Sequence, residues 1–181
     1  MKKGLFITLT VLLFSACKNQ YNIKTNAALP EYMKIVNGQT TINDSSIVCE
    51  LSLKQLPTQL RFNSNGLKVN AREYEWGVYF DNNNDGNYDL SLAVSNWKSE
   101  KKKEKEGEIL KYTQTNIWKI ENEGGSNIGY IDSKIEGDKI ILTALFGANK
   151  LNEISSSSKI KYQTYYNSGT ETYKDSLIIE N

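Results

Sequence analysis

The sequence predicts an all-β chain folded as an antiparallel β-sandwich, and three observations carry the prediction. Apolar residues recur at every second position in short runs such as Ile47/Cys49/Leu51/Leu53, Tyr74/Trp76/Val78/Phe80 and Tyr88/Leu90/Leu92/Val94, the period of a strand with one buried face. Clusters of Asn, Asp, Gly and Ser, which favour turns, separate the runs. No segment longer than one or two turns carries a helical stripe, the best being Ala148 to Ile154 after Gly147. Eight or so short strands joined by turns fit a jelly-roll-like sandwich with minimal helix, and residues 39–181 are long enough to enclose one core.

The first element lies before the sandwich. Residues 1–17 read MKKGLFITLTVLLFSAC, with Lys2 and Lys3 ahead of an apolar run from Leu5 to Phe14 and then small residues, the order of an export signal. That run is too short for a spanning helix, which needs ~20 residues. Phe14-Ser15-Ala16-Cys17 resembles the lipobox of bacterial lipoproteins, with Phe14 where the family prefers an aliphatic residue. The resemblance implies that residues 1–16 are removed as a lipoprotein signal peptide. Cys17 would then be lipidated, as the first residue of a chain held to a membrane of the cell envelope.

Lipidation of Cys17 leaves Cys49 without a partner, and its alternation with Ile47, Leu51 and Leu53 places it in the core as a small apolar residue. After loss of residues 1–16 the balance is 20 basic against 21 acidic side chains. The net charge of −1 supplies no basic patch, so attachment rests on acyl chains. Lys18-Asn19-Gln20 follows the Cys. In one large group of gram-negative bacteria surface export follows a Lys or Gln and then acidic residues; Lys18 fits and no acid follows. Both faces of the outer membrane stay open.

From Lys18 to about Asn37 the chain is polar, carries Pro30 and has no apolar period, so residues 17–38 are expected to be the lipidated Cys and a flexible tether. About 20 flexible residues span roughly 25 Å. Beyond the three runs already named, strands are expected over Ile109 to Ile120, Asn127 to Ile135, Lys139 to Phe146, Lys159 to Tyr166 and Ser176 to Ile179. Glu136-Gly137-Asp138 suits a hairpin turn, and Asn167-Ser168-Gly169 is a second turn signal. The mixed-charge run Lys98 to Glu108 is expected to be a solvated loop, and Ser155 to Ser158 a plain connector.

Chemistry concentrates in Asp81-Asn82-Asn83-Asn84-Asp85-Gly86-Asn87-Tyr88-Asp89. Oxygen-bearing side chains at Asp81, Asn83, Asp85 and Asp89 follow positions 1, 3, 5 and 9 of a calcium loop, the Asn87 carbonyl serves position 7, and Gly86 falls at the sixth, where the backbone turns sharply. The twelfth position is Leu92 rather than Glu, and the flanks alternate as strands, so the loop is not an EF-hand. The expectation is a structural Ca2+ held between two strands, its shell completed by water or a side chain from elsewhere, with Asp132 and Asp175 as candidates. The plain alternative is that Asn, Asp and Gly are simply good turn residues.

Glu75-Trp76-Gly77-Val78-Tyr79-Phe80-Asp81, the loop after it, a returning strand and Gly137-Asp138-Lys139-Ile140-Ile141-Leu142-Thr143-Ala144 together resemble the jelly-roll group of family 9 carbohydrate-binding modules and DOMON-like domains. The resemblance implies a sandwich over about residues 40–179 that binds a sugar, binds haem, or has no known ligand. Sugar binding in such modules uses paired exposed rings. Trp97, beside the charged run, and Trp118, out of phase with Ile117, are the candidate ligand-binding residues, with Tyr162, Tyr165, Tyr166 and Tyr173 also available. Trp76, in phase with Val78 and Phe80, reads as core.

Composition narrows the remaining classes. The chain has no histidine, which removes histidine-dependent triads, histidine zinc sites and histidine-held haem. Met33 lies in the expected tether, so haem is not expected. With 22 basic and 21 acidic side chains over 181 residues, no global field steers nucleic acid. The expectation is a non-catalytic, membrane-anchored module that takes a glycan or protein partner. The alternatives are a glycan-active enzyme using two carboxylates ~5–10 Å apart, and a purely structural or assembly lipoprotein.

Overall fold

The computed structural model describes residues 29–56, 72–97, 114–121, 124–149, 151, 154–168 and 171–179. The strands are β1 (Ile35–Ile42), β2 (Ser46–Leu53), β3 (Arg72–Asp81), β4 (Leu90–Trp97), β5 (Gln114–Glu121), β6 (Gly124–Tyr130), β7 (Asp132–Glu136), β8 (Lys139–Leu145), β9 (Lys159–Asn167) and β10 (Thr172–Ile179). They form two antiparallel sheets, of order β1-β2-β8-β7 and β10-β9-β3-β4-β5-β6, and the protein is an all-β sandwich.

The alternation works as the sequence requires. In β2, Ile47, Cys49, Leu51 and Leu53 are buried while their neighbours are half-buried. Trp76, Val78 and Phe80 of β3 face them across the core with Leu92 and Val94 of β4, Ile117 of β5, Tyr162 of β9 and Leu177 of β10. Burial of the Cys49 thiol pushes its pKa up to about 12, against a weak opposing hydrogen bond from Thr40. A buried neutral thiol behaves here as a small apolar side chain.

The domain begins earlier than residue 39. Leu29, Met33 and Ile35 are buried with the core, and Glu31–Met33 forms a 3₁₀ turn. Three side chains of the six-stranded sheet hold this segment. Trp76 Nε1 donates to the Tyr32 carbonyl (3.0 Å), Thr164 Oγ1 donates to the Met33 carbonyl (2.5 Å), and the Ile35 N–H donates to Asp175 Oδ2 (2.8 Å). Residues 29–38 are therefore domain and not tether, because Leu29, Met33 and Ile35 are buried and the Tyr32, Met33 and Ile35 backbone groups find partners on the larger sheet, while Val36 turns outward, 54% exposed. Residues 1–28, which include the lipobox Phe14, Ser15, Ala16 and Cys17, lie outside the described residues.

Two further expectations are revised. The stretch from Asn127 to Ile135 is two strands in different sheets, with Ile131, 5% exposed, buried at the crossing. The short helix is Phe146–Asn149, and Leu151 and Ile154 beyond it are buried without helical structure. The β7–β8 hairpin turns at Gly137, whose φ of 59° is left-handed, as a short Gly-containing loop permits. The charged run from Lys98 lies outside the described residues.

Candidate functional site

The loop between β3 and β4 is built around Asp81. This side chain is 1% exposed, and its two oxygens accept the N–H groups of Asp85 (Oδ1, 3.2 Å) and Gly86 (Oδ2, 3.0 Å). Asn83 Oδ1 also accepts from Asp85 N (3.0 Å), and Asp85 Oδ1 accepts from Asn87 N (2.7 Å). Asp89 Oδ2 accepts from Asn82 N (2.8 Å), closing the loop at its far end. Asn84 and Gly86 take left-handed φ values of 58° and 92°, conformations that Asn and Gly tolerate best.

Most of these oxygens are thus turned onto the loop's own backbone, and Asp85 Oδ2 accepts from Asn83 Nδ2 (3.1 Å). The N–H of Asn87 holds the Asp85 carboxyl below the usual carboxylate range. Among the described residues no three Asp, Glu or Cys side chains are gathered to hold a metal ion. The residue types nevertheless suit a hard cation: Asp81, Asn83, Asp85, Asp89 and the Asn87 carbonyl are all oxygen donors, and Asn83 and Asp85 are exposed. An ion here would require those two side chains to turn inward.

Neither distant acid completes the shell. Asp175 is fully buried on β10 and is engaged by Ile35 N. It pairs with Thr164, five residues along β9 from the Lys159 that faces Asp81, about 16 Å away at a strand's rise. Asp132 opens β7 in the other sheet. It follows the end of β6 that lies away from the loop, since β6 starts opposite Glu121 and ends opposite Asn116.

The serine connector does more than connect. Ser158, fully buried, donates to Asn82 Oδ1 (3.0 Å), and Asn84 Nδ2 donates to the Ser157 carbonyl (3.1 Å). A Ser-rich segment carries no periodic signal, so this second wall of the loop has no signature in the sequence.

The other chemically dense region is the outer face of the six-stranded sheet. Glu75, 3% exposed, accepts from Arg72 and from the Tyr79 hydroxyl (2.6 Å). The Arg72 guanidinium lies 4.4 Å from the Tyr165 ring centroid, and Lys161 Nζ lies 4.7 and 4.1 Å from those of Tyr79 and Tyr88. Burial holds the Lys161 pKa below its ordinary value. The buried carboxylate of Glu75 is thus committed to structural partners.

Of the aromatic candidates, Trp118 is half-buried on β5, on the outer face. The side chain of Trp97 lies outside the described residues. Tyr162 is core, Tyr165 sits under Arg72, and Tyr166 and Tyr173 stack in the row Tyr173–Tyr166–Tyr74–Trp76, with centroids 6.1, 5.4 and 6.0 Å apart. Among the described residues the most exposed ring is Tyr130, at 74%, which the strand pattern did not single out. Its signal was the glycine pair Gly125 and Gly129 within one run, a mark of a bulge.

No protein-family model, curated protein or solved structure matches the chain.

Proposed function

We propose that the chain is a lipid-anchored bacterial envelope lipoprotein whose sandwich is a calcium-stabilised, non-catalytic binding module. The observation that carries the calcium reading is Asp81: a buried carboxylate at loop position 1 that receives the N–H groups of positions 5 and 6. That curl brings Asn83, Asp85, the Asn87 carbonyl and Asp89 onto one short loop, which would supply the ion's oxygens. Its role is to hold the β3–β4 connection. The lipobox supports anchoring through Cys17, in the outer membrane on its periplasmic or surface face. The sandwich architecture agrees with the resemblance to family 9 carbohydrate-binding and DOMON-like modules, and a glycan is the ligand class that resemblance favours.

The test is thermal unfolding of the chain from Lys18 onward, which retains every core residue, in calcium, magnesium and chelator. At ~1 mM calcium and a Kd of ~0.1 mM, typical of extracellular sites, the ion adds about 1.4 kcal/mol, a rise of roughly 3–6 °C. Asp85→Ala should abolish the rise while changing the midpoint in chelator little, since Asp85 is exposed. Asp81→Ala should lower the midpoint even in chelator, because the Gly86 N–H loses its acceptor and the Asp85 N–H keeps only Asn83 Oδ1. Superimposable curves in calcium and chelator would reject the calcium reading.

A further inference from the structure

Strands β5 and β6 form the open side of the six-stranded sheet, with β6 at its edge. Their register contains an irregularity: Ile117 pairs with Gly129 and Trp118 with Asn127, so that Ile128 is an extra residue on β6. In a regular strand residues 127 and 130 point to opposite faces. The bulge removes that alternation, so that Asn127 faces Trp118 and Tyr130 faces Asn116 on the same outer surface. Re-aiming a side chain in this way is a recurrent use of edge bulges.

The result is a patch with a consistent chemistry. Trp118 is half-buried and Tyr130 is 74% exposed, a diagonal pair on neighbouring strands at about 7–8 Å. Between them Asn127 Nδ2 donates to Asn116 Oδ1 (2.9 Å), and the Asn127 carbonyl oxygen of the side chain accepts Gly129 N (3.0 Å), so the amides are held in place. Beside Trp118 in register stands Ser91, 4% exposed. None of these five side chains is charged.

We propose that this patch is the ligand platform, and that its ligand is a neutral polysaccharide. Aromatic rings offer apolar faces to the C–H faces of sugar rings, as amphipathic rings do at wet interfaces. The exposed Asn127 amide, held by Asn116, can bond sugar hydroxyls, while these five side chains offer a charged glycan no counter-ion. This deepens the binding-module reading and rests on it. The bulge at Ile128 is then the feature that assembles the platform.

The test is affinity electrophoresis of the chain from Lys18 onward, with calcium, in gels carrying mixed-linkage β-glucan, xylan, galactomannan or starch, and in polygalacturonate as the charged control. Retardation is expected in at least one neutral gel. Trp118→Ala and Tyr130→Ala should each weaken it about tenfold or more, as loss of a central aromatic contact does, and Trp118→Phe should retain most of it. Unchanged unfolding midpoints show that the variants fold. No retardation in any neutral gel, equal retardation of wild type and both alanine variants, or retardation by polygalacturonate alone would each overturn the proposal. The calcium shift is read on the same samples. Its persistence without retardation rejects the platform alone, and its loss beside Trp118-dependent retardation rejects the calcium loop alone.

Discussion

Replacing Gly38 by Ala tests whether the segment before residue 39 belongs to the core. A Cβ at Gly38 would stand 2.5 Å from Cδ2 and 2.6 Å from Cε2 and Cγ of Tyr162, closer than carbon atoms approach in folded proteins. The ring has little room to move away. Tyr162 is fully buried, and its hydroxyl is bonded to Thr40 Oγ1 at 2.6 Å. Overpacking of this kind costs ~1–3 kcal/mol, and displacement of the ring adds ~1 kcal/mol for the strained hydrogen bond. The lower entropy of the unfolded chain returns ~0.4–1 kcal/mol. The net expectation is a loss of about 1–3.5 kcal/mol, read as a lower urea midpoint at unchanged slope. Tyr162→Leu in the same background should relieve part of the loss, a coupling that a double-mutant cycle would expose. A change below ~0.5 kcal/mol would refute the packing of β1 on β9 and return residues 29–38 to a tether.

Thr164→Val keeps the side chain's shape but leaves the buried Met33 carbonyl without its hydroxyl donor, so a loss of ~1–3 kcal/mol is expected in the same urea titration, and a neutral result would remove that clamp. In the chain from Lys18 onward Cys49 should resist a thiol reagent at pH 8 and yield one equivalent once the protein is unfolded, as its burial and a pKa of about 12 require. The sign of the linkage is fixed. A thiol whose folded pKa is raised contributes fully below its unfolded value of ~8.5, and stability declines as pH rises from there toward 12. Midpoints measured between pH 8 and 10 should therefore fall with pH, and a rise over that range would contradict the burial of Cys49.

Most of the sandwich was legible because β2 and most of β9 alternate and β3 carries apolar residues at every second position from Tyr74 to Phe80, a period that marks the face to bury. What escaped has physical reasons. β1 reads IVNGQTTI, and as an edge strand it buries only Ile35 and Gly38, so a polar composition resembling a tether conceals a strand. The β6–β7 break occurs at an apolar residue, Ile131, which stays buried while the chain changes sheets; no turn residue marks it. The Asp81–Asp89 loop was visible in its spacing, whereas its packing against Ser157 and Ser158 depends on tertiary contacts that spacing does not encode. Trp118 could be suspected from its phase. For Tyr130 only the glycines Gly125 and Gly129 hinted at a bulge, because a single extra residue inverted the phase that reveals orientation.

The manner in which the start of the sandwich is fastened bears on mechanics. A strand pulled from one end can unzip from its neighbour one ladder bond at a time, each bond bearing the load alone. Here Tyr32 and Met33 just ahead of β1, and Ile35 at its start, are gripped sideways by Trp76, Thr164 and Asp175, which belong to three adjacent strands. A pull on the N-terminal end therefore loads three bonds in parallel and spreads the stress across the width of the larger sheet before β1 and β2 can begin to separate.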